Sequence, residues 1–281
     1  MKLLVIGHSV LDFIQRQETI GTSAGGIFYT ITALNQIKTE EDEIYLCSQF
    51  DEHTFKYFKS EYENIQNNYL TKVDSIPKIH LKIFNDQERH EAYENITENL
   101  TTKFENLNKF DGILINMITG FDINLSQLRQ IRSDYSGLIY FDVHTLSRGL
   151  DEEFKREFRN IPDFSEWAKC LDIIQVNQSE LFTLSDNNSE IKIVNEMFQY
   201  GIKIICITKG EKGAKVFYQK SEEIASYFIA AKRIKNPYTI GCGDVFGASF
   251  FYSYIRNNNV NYSLFYSIEE AEKFVERKTY Y

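Results

Sequence analysis

Hydrophobic positions along the chain gather into short unbroken runs, each separated from the next by a polar turn and an amphipathic stretch. Lys2 to Ile6 is the first run, closed by Gly7, and has the pattern of a buried parallel strand with a loop at its carboxyl end. Ile44 to Cys47 and Gly112 to Asn116 repeat it, and the runs Leu138 to Phe141, Ile173 to Val176 and Ile202 to Ile207 end in Asp142, Asn177 and Thr208. Polar residues thus stand at strand ends, where ligands bind in α/β folds. Between the runs, apolar spacing predicts helices over Ile27 to Leu34, Leu125 to Arg132, Ser179 to Leu184, Ile191 to Tyr200 and Val245 to Tyr254.

Two stretches break this rhythm. From Ile79 to Tyr93 polar and apolar residues alternate around Asn85 to Glu88, the pattern of a half-exposed antiparallel hairpin and a candidate lid. Val216 to Tyr218 and Ile224 to Ile229 read as antiparallel edge strands. The expected fold is α/β: a mostly parallel central sheet with helices on both faces and right-handed crossovers. No repeat or linker divides residues 1–281, so a single domain is expected, with a small lid from about 13–24 and 78–95.

Composition narrows the classes of function. The chain has 281 residues, enough for a sizeable core, and its 15% aromatic content predicts one rich in Phe and Tyr. A net charge of -9, without a Lys/Arg-rich run, disfavours nucleic acid and anionic membranes as partners. The opening apolar run is too short for a signal peptide, and no stretch is long enough to span a bilayer. Cys47, Cys170, Cys206 and Cys242 lack the spacing of a zinc or redox site and read as reduced thiols, which points to the cytoplasm.

Candidate chemistry centres on Thr239-Ile240-Gly241-Cys242-Gly243-Asp244. Its glycines leave backbone N–H groups open at a helix start, a geometry that holds anions, while Asp244 equally suits a plain first-turn acid. Asn177 and Glu180 are spaced to hold a hydrated Mg²⁺, or alternatively form an N-cap and capping box. Thr208, Gly210 and Gly213 form a backbone-rich loop able to face phosphate, or an ordinary turn. Asp12 could accept hydrogen bonds from hydroxyls or simply form a turn. His144 and Arg148 could orient an anion but read more simply as solvated loop residues. The histidines, His8 included, lack metal-ligand spacing, and neither classical nucleotide fingerprint is present.

Taken in order, these pieces resemble the ribokinase-like PfkB carbohydrate kinases from Lys2 to about Tyr254. Thr239, Gly241, Gly243 and Asp244 match the family's D-T-x-G-A-G-D signature, with Cys242 at the usual Ala. Gly7 and Asp12 match its N-terminal sugar-binding element, Gly25-Gly26 its paired glycines, Asn177 and Glu180 its N-x-x-E, and Thr208, Gly210 and Gly213 its T-x-G-x-x-G. The resemblance implies the family's three-layer fold and ATP-dependent phosphorylation of a small sugar or polyol. Asp244 would be the base and the N–H groups of Gly241, Cys242 and Gly243 the anion hole. ATP and Mg²⁺ would be held near Thr208, Gly210, Gly213, Asn177 and Glu180, the metal through water.

Three departures carry consequences. Tyr238 stands where many relatives have an aspartate that helps bind a monovalent cation, so potassium is not carried over with ATP and Mg²⁺. Thr30 replaces an Asn that touches substrate and is placed with Asp12, Gly25 and Gly26 at the acceptor. The short span from Asp12 to Gly25 implies a reduced lid, leaving monomer and homodimer both open. The absence of a Lys/Arg cluster near Asp12 or Gly25 in sequence favours a neutral acceptor over a sugar phosphate. A Cys242 thiol on the phosphate path implies alkylation sensitivity blocked by ATP. The alternatives are a nucleoside kinase of the same fold, its acceptor stacked on Phe28, Tyr29 or Phe84, and a regulator that binds nucleotide or sugar without turnover.

Overall fold

The structure is a computed structural model describing residues 1–16, 19–83, 90–95, 99–150, 156–221, 223–235 and 237–279. In chain order the strands are β1 (Lys2–Ile6), β2 (Ser9–Arg16), β3 (Thr19–Gly26), β4 (Glu43–Phe50), β5 (Gln66–Lys72), β6 (Lys78–Ile83), β7 (His90–Glu94) and β8 (Gly112–Asn116). They continue with β9 (Leu138–Asp142), β10 (Arg148–Leu150), β11 (Arg156–Phe158), β12 (Ile173–Asn177), β13 (Ile204–Thr208), β14 (Ala214–Lys220) and β15 (Glu223–Ile229). Nine of these form the central sheet in the order β15-β14-β13-β12-β9-β8-β1-β4-β5, parallel from β13 to β5, with β14 and β15 as the antiparallel edge that the sequence predicts.

The unbroken apolar runs arise because both faces of this sheet are covered. In β1, Leu3 and Val5 pack into one core while Leu4 and Ile6 pack into another, the alternation of a strand sandwiched between two helical layers. On the first face lie the helices Ile27–Ile37, Cys242–Asn257 and Val260–Thr279. The middle one is apolar on nearly all sides, with Val245, Phe246, Ala248, Phe250 and Phe251 buried, because it lies between the sheet and its two neighbours. Leu125–Asp134 and Glu190–Gln199 supply Leu128, Ile131, Ile193 and Val194 to the core on the opposite face.

A separate four-stranded sheet, β3-β2-β6-β7, stands over the carboxyl edge of the main one. It includes the predicted hairpin, β6 against β7, whose tip at Asn85 to Glu88 lies outside the described residues together with Phe84. Asp12, expected in a loop, sits in mid-strand on β2 opposite Ser23 of β3. The alternation of Val10, Asp12 and Ile14 with their neighbours is interrupted too soon by polar residues to read as a strand. The Val260–Thr279 helix, within the expected single domain but beyond Tyr254, where the sequence resemblance ends, packs on its predecessor. Among the described residues, no helix is long and apolar enough to cross a membrane.

Candidate active site

The register of the parallel strands lines up a row of polar side chains along the carboxyl edge. Asn116 pairs with Asp142, Asp142 with Gln175, and Asn177 with Thr208. Above this row two cavities meet. The first, about 290 Å³, lies under the β2-β6-β7 roof and is lined by Asp12, Gly26, Ile79, Leu81, Tyr93, Asp142, Glu180, Gly241 and Asp244. The second, about 520 Å³, lies beyond β13 and is lined by Gly210, Gly213, Lys212, Arg233, Cys242 and an apolar wall of Ile234, Phe246, Ile268, Ala271 and Val275. Asn177, Thr208, Thr239 and Gly243 line both. Cys242 faces the second cavity and Asp244 the first, so the turn into the Cys242–Asn257 helix straddles the passage between them.

That turn depends on Gly241, which caps the helix with φ 85°, a left-handed conformation that costs other residues. A Cβ there would lie 2.4 Å from the ring of Tyr29, so backbone geometry and close approach both demand glycine. The Cys242 N–H donates to the Thr239 carbonyl at 3.1 Å and the Val245 N–H to the Gly241 carbonyl at 3.0 Å. The Cys242 N–H is therefore engaged within the turn itself. The N–H groups of Gly243 and Asp244 belong to the first turn, where the helix offers no acceptor of its own and an anion can be held. Behind the turn, the Gln175 amide donates to the Gly243 carbonyl at 3.1 Å and accepts from the Tyr140 hydroxyl at 2.6 Å.

The paired glycines serve Asp12. A Cβ on Gly25 would fall 2.1 Å from an Asp12 carboxylate oxygen, so the absence of a side chain lets the carboxylate settle against the backbone. Gly26 lines the cavity, whereas Gly25 lies behind Asp12 and Thr30 is wholly buried; neither is among the residues lining either cavity.

Asn177 and Glu180 form the capping box that the plainer reading anticipated. The Asn177 side chain accepts from the Ser179 and Glu180 N–H groups, and Glu180 accepts from the Asn177 backbone at 2.8 Å and its amide at 2.7 Å. The same residues nevertheless border the cavities, so capping fixes them there rather than excluding a second role. Burial, with Glu180 and Asp244 nearby, pushes the Asp142 carboxyl well above its ordinary range. Asp142, Glu180 and Asp244 thus line the first cavity together, but among the described residues no group of three or more His, Cys, Asp or Glu side chains is placed to hold a metal ion directly.

Sequence reasoning passed over several residues that the fold brings in. Asn116 donates to Asp244 at 2.7 Å, and Gln175 joins Asp142 in the row. Polarity at strand ends was their signal, and Asn116 bore it as plainly as Asp142. His144 and Arg148, set aside as loop residues, line the first cavity with Asp12, which removes the ground for expecting a neutral acceptor. Of the aromatics considered for base stacking, Tyr29 lines that cavity, while Phe28 packs edge-on against Phe58 and Tyr29. Cys242 is no exposed nucleophile: burial, Asp244 and Glu272 push its thiol up to about 11.

Comparison with known proteins agrees with this architecture. The family model described as pfkB family carbohydrate kinase matches residues 153–278. A pyrophosphate-dependent kinase in the ribokinase family, solved with a pyrophosphate analog and myo-inositol, is similar with a TM-score of 0.78 at 16% identity, over 97% of this chain and 94% of that one. Arabidopsis thaliana ribokinase complexed with ribose and ATP gives a TM-score of 0.73 at 17% identity, over 98% and 92%. The nucleoside kinase of Methanocaldococcus jannaschii gives 0.69 at 14%, over 98% and 91%. No curated protein matches the chain in sequence. The resemblance to the PfkB carbohydrate kinases is thereby borne out: the family model matches the C-terminal stretch, and the ribokinase fold extends over nearly the whole chain. The matching family model is one of carbohydrate kinases, and the solved structures with this fold named above are kinases.

Proposed function

We propose that the protein transfers the γ-phosphoryl group of ATP to a hydroxyl of a small sugar or polyol, in the cytoplasm. The observation that carries this reading is Asp244 on one side of the passage between two cavities that share Asn177, Thr208, Thr239 and Gly243. The smaller cavity has the volume of a monosaccharide-sized ligand, and Asp12 on its wall accepts hydrogen bonds from hydroxyls. Asp244 takes the proton of the attacking hydroxyl, while the Gly243 and Asp244 N–H groups and the helix dipole face the phosphoryl group in transit. Arg148 adds positive charge on the acceptor side, where His144 also lines the cavity. Asn177 and Glu180 would hold Mg²⁺ through its waters, and the metal would neutralise the donor phosphates.

ATP is favoured over pyrophosphate, the donor of one kinase with this fold, by the apolar wall of the larger cavity. Ile234, Phe246, Ile268, Ala271 and Val275 suit the face of a purine ring and have no use for an inorganic dianion. A screen of ATP and pyrophosphate against sugars, polyols and nucleosides tests the reading. ATP turnover dependent on a sugar or polyol supports it. Turnover with pyrophosphate alone, or with nucleosides alone, replaces the donor or the acceptor. ATP binding without turnover on any acceptor leaves a nucleotide-binding regulator.

A further inference from the structure

We infer that Asn116, itself held by Thr30, is the positioning residue that aims Asp244 and keeps it ionised. The inference rests on the reading of Asp244 as the base. Asn116 ends β8 and Thr30 lies on the Ile27–Ile37 helix; both are buried, and neither is among the residues lining the cavities. The Asn116 amide nitrogen donates to Asp244 Oδ1 at 2.7 Å and to Thr30 Oγ1 at 3.3 Å. Its two hydrogens are then committed, and its Oδ1 lies buried with no hydrogen-bond partner among the described residues.

An orphaned buried acceptor lowers stability, and proteins rarely keep one without a compensating use. Turning the amide over would press that oxygen against the Asp244 carboxylate, so the network admits one orientation. The use we assign is control of Asp244. With Oδ1 engaged, the rotamer is fixed and the proton of the acceptor hydroxyl goes to Oδ2. A donated N–H also favours the carboxylate over the acid. Asp142 on β9, Tyr29 from the Ile27–Ile37 helix and Cys242 from its own helix also lie near enough to interact electrostatically with Asp244, and burial raises all three, so that their neutral forms stand beside it. Asp12 reaches the group through Tyr29, and His144 and Arg148 line the same cavity. Asn116 is the neutral donor among them, so removing it adds no titration of its own. Thr30, expected at the acceptor, lies one layer deeper, behind Asn116.

The test compares Asn116→Ala, Thr30→Val and Thr30→Ser with the parent protein. Asn116→Ala is expected to lower kcat by about tenfold to a hundredfold while both KM values stay within about twofold, and to move the acid limb of the kcat–pH profile up by about one unit. Thr30→Val should shift both in the same direction by less, and Thr30→Ser should restore them. A readout independent of turnover is the ¹³C carboxyl titration of Asp244, which should move to higher pH in Asn116→Ala. Lowered thermal stability with kcat, pH profile and carboxyl titration all unmoved would overturn the inference and leave Asn116 structural. If Asn116→Ala does not fold, the Thr30 pair decides on the same readouts. If the parent turns over no acceptor while the carboxyl titration still shifts, the positioning holds and the assigned function fails instead.

Discussion

Asn116 and Asp244, 128 positions apart in the chain, meet through a hydrogen bond of 2.7 Å. Strand order explains the meeting: β8 lies between β1 and β9, so its last residue emerges beneath the N-terminus of the helix that starts at Cys242. The catalytic geometry proposed here is therefore a property of sheet order as much as of the Gly241 to Asp244 motif.

Asp12 and Gly25 are similarly interlocked, and Gly25→Ala should disturb acceptor binding alone. The new Cβ would fall 2.1 Å from the Asp12 carboxylate and drive it off the backbone. Steady-state kinetics should show the acceptor KM raised about tenfold or more, the loss of one buried hydrogen bond to a charged group, with the ATP KM unchanged. An unchanged acceptor KM would remove Asp12 from the acceptor site.

Gly241→Ala should lower stability. Its φ of 85° and the Tyr29 ring, 2.4 Å from where the new Cβ would sit, combine backbone strain with a clash against a buried aromatic. Roughly 1–3 kcal/mol is expected from the strain, with more from repacking Tyr29. Denaturant unfolding measures this, and a stability equal to the parent's would show that the turn relaxes freely.

Cys242 alkylation should be slow near neutral pH. A thiol pushed up to about 11 is almost wholly protonated at pH 7, and the thiolate is the reactive form. The rate with iodoacetamide should climb through the alkaline range, and bound ATP should suppress it because Cys242 lines the larger cavity. Fast labelling at pH 7 would contradict the burial of this side chain.

Stability should fall in acid partly through Asp42. Burial alone would raise its carboxyl, but bonds from Thr39, the Tyr252 hydroxyl, the chain's amino terminus and Arg256 outweigh this and hold it well below the ordinary range. A depressed folded-state value stabilises the protein above the unfolded carboxylate's value, near pH 4, and that contribution is lost as pH falls through the lower folded value. Asp42→Asn should cost about 3 kcal/mol at pH 7, the cost of breaking a buried ion pair, with a smaller difference at pH 3. Equal losses at both values would assign the effect to packing.

Most helices and parallel strands were legible because each has one dominant signal, the apolar run or stripe; β5, whose sequence Gln-Asn-Asn-Tyr-Leu-Thr-Lys has no such run, and the Val260–Thr279 helix were not. The signature turn, the paired glycines and the Asn177–Glu180 pair were legible because each is contiguous in sequence. Residues that depend on the sheet for their company were not: His144 and Arg148 read as solvated loop because nothing local tells which cavity the segment after β9 will line. Thr30 was assigned to substrate by position, and only packing shows it behind Asn116. The strand β2 stayed hidden because Asp12, the residue the site needs there, breaks its apolar pattern.

The most direct measurement is ATP-dependent phosphorylation of the best sugar or polyol acceptor by the parent and by Asp244→Asn, with ATP affinity determined in parallel. Removing the base should lower kcat by a factor on the order of 10² to 10⁴ while ATP binds almost as before. An Asp244→Asn protein that turns over at the parent's rate would contradict the account.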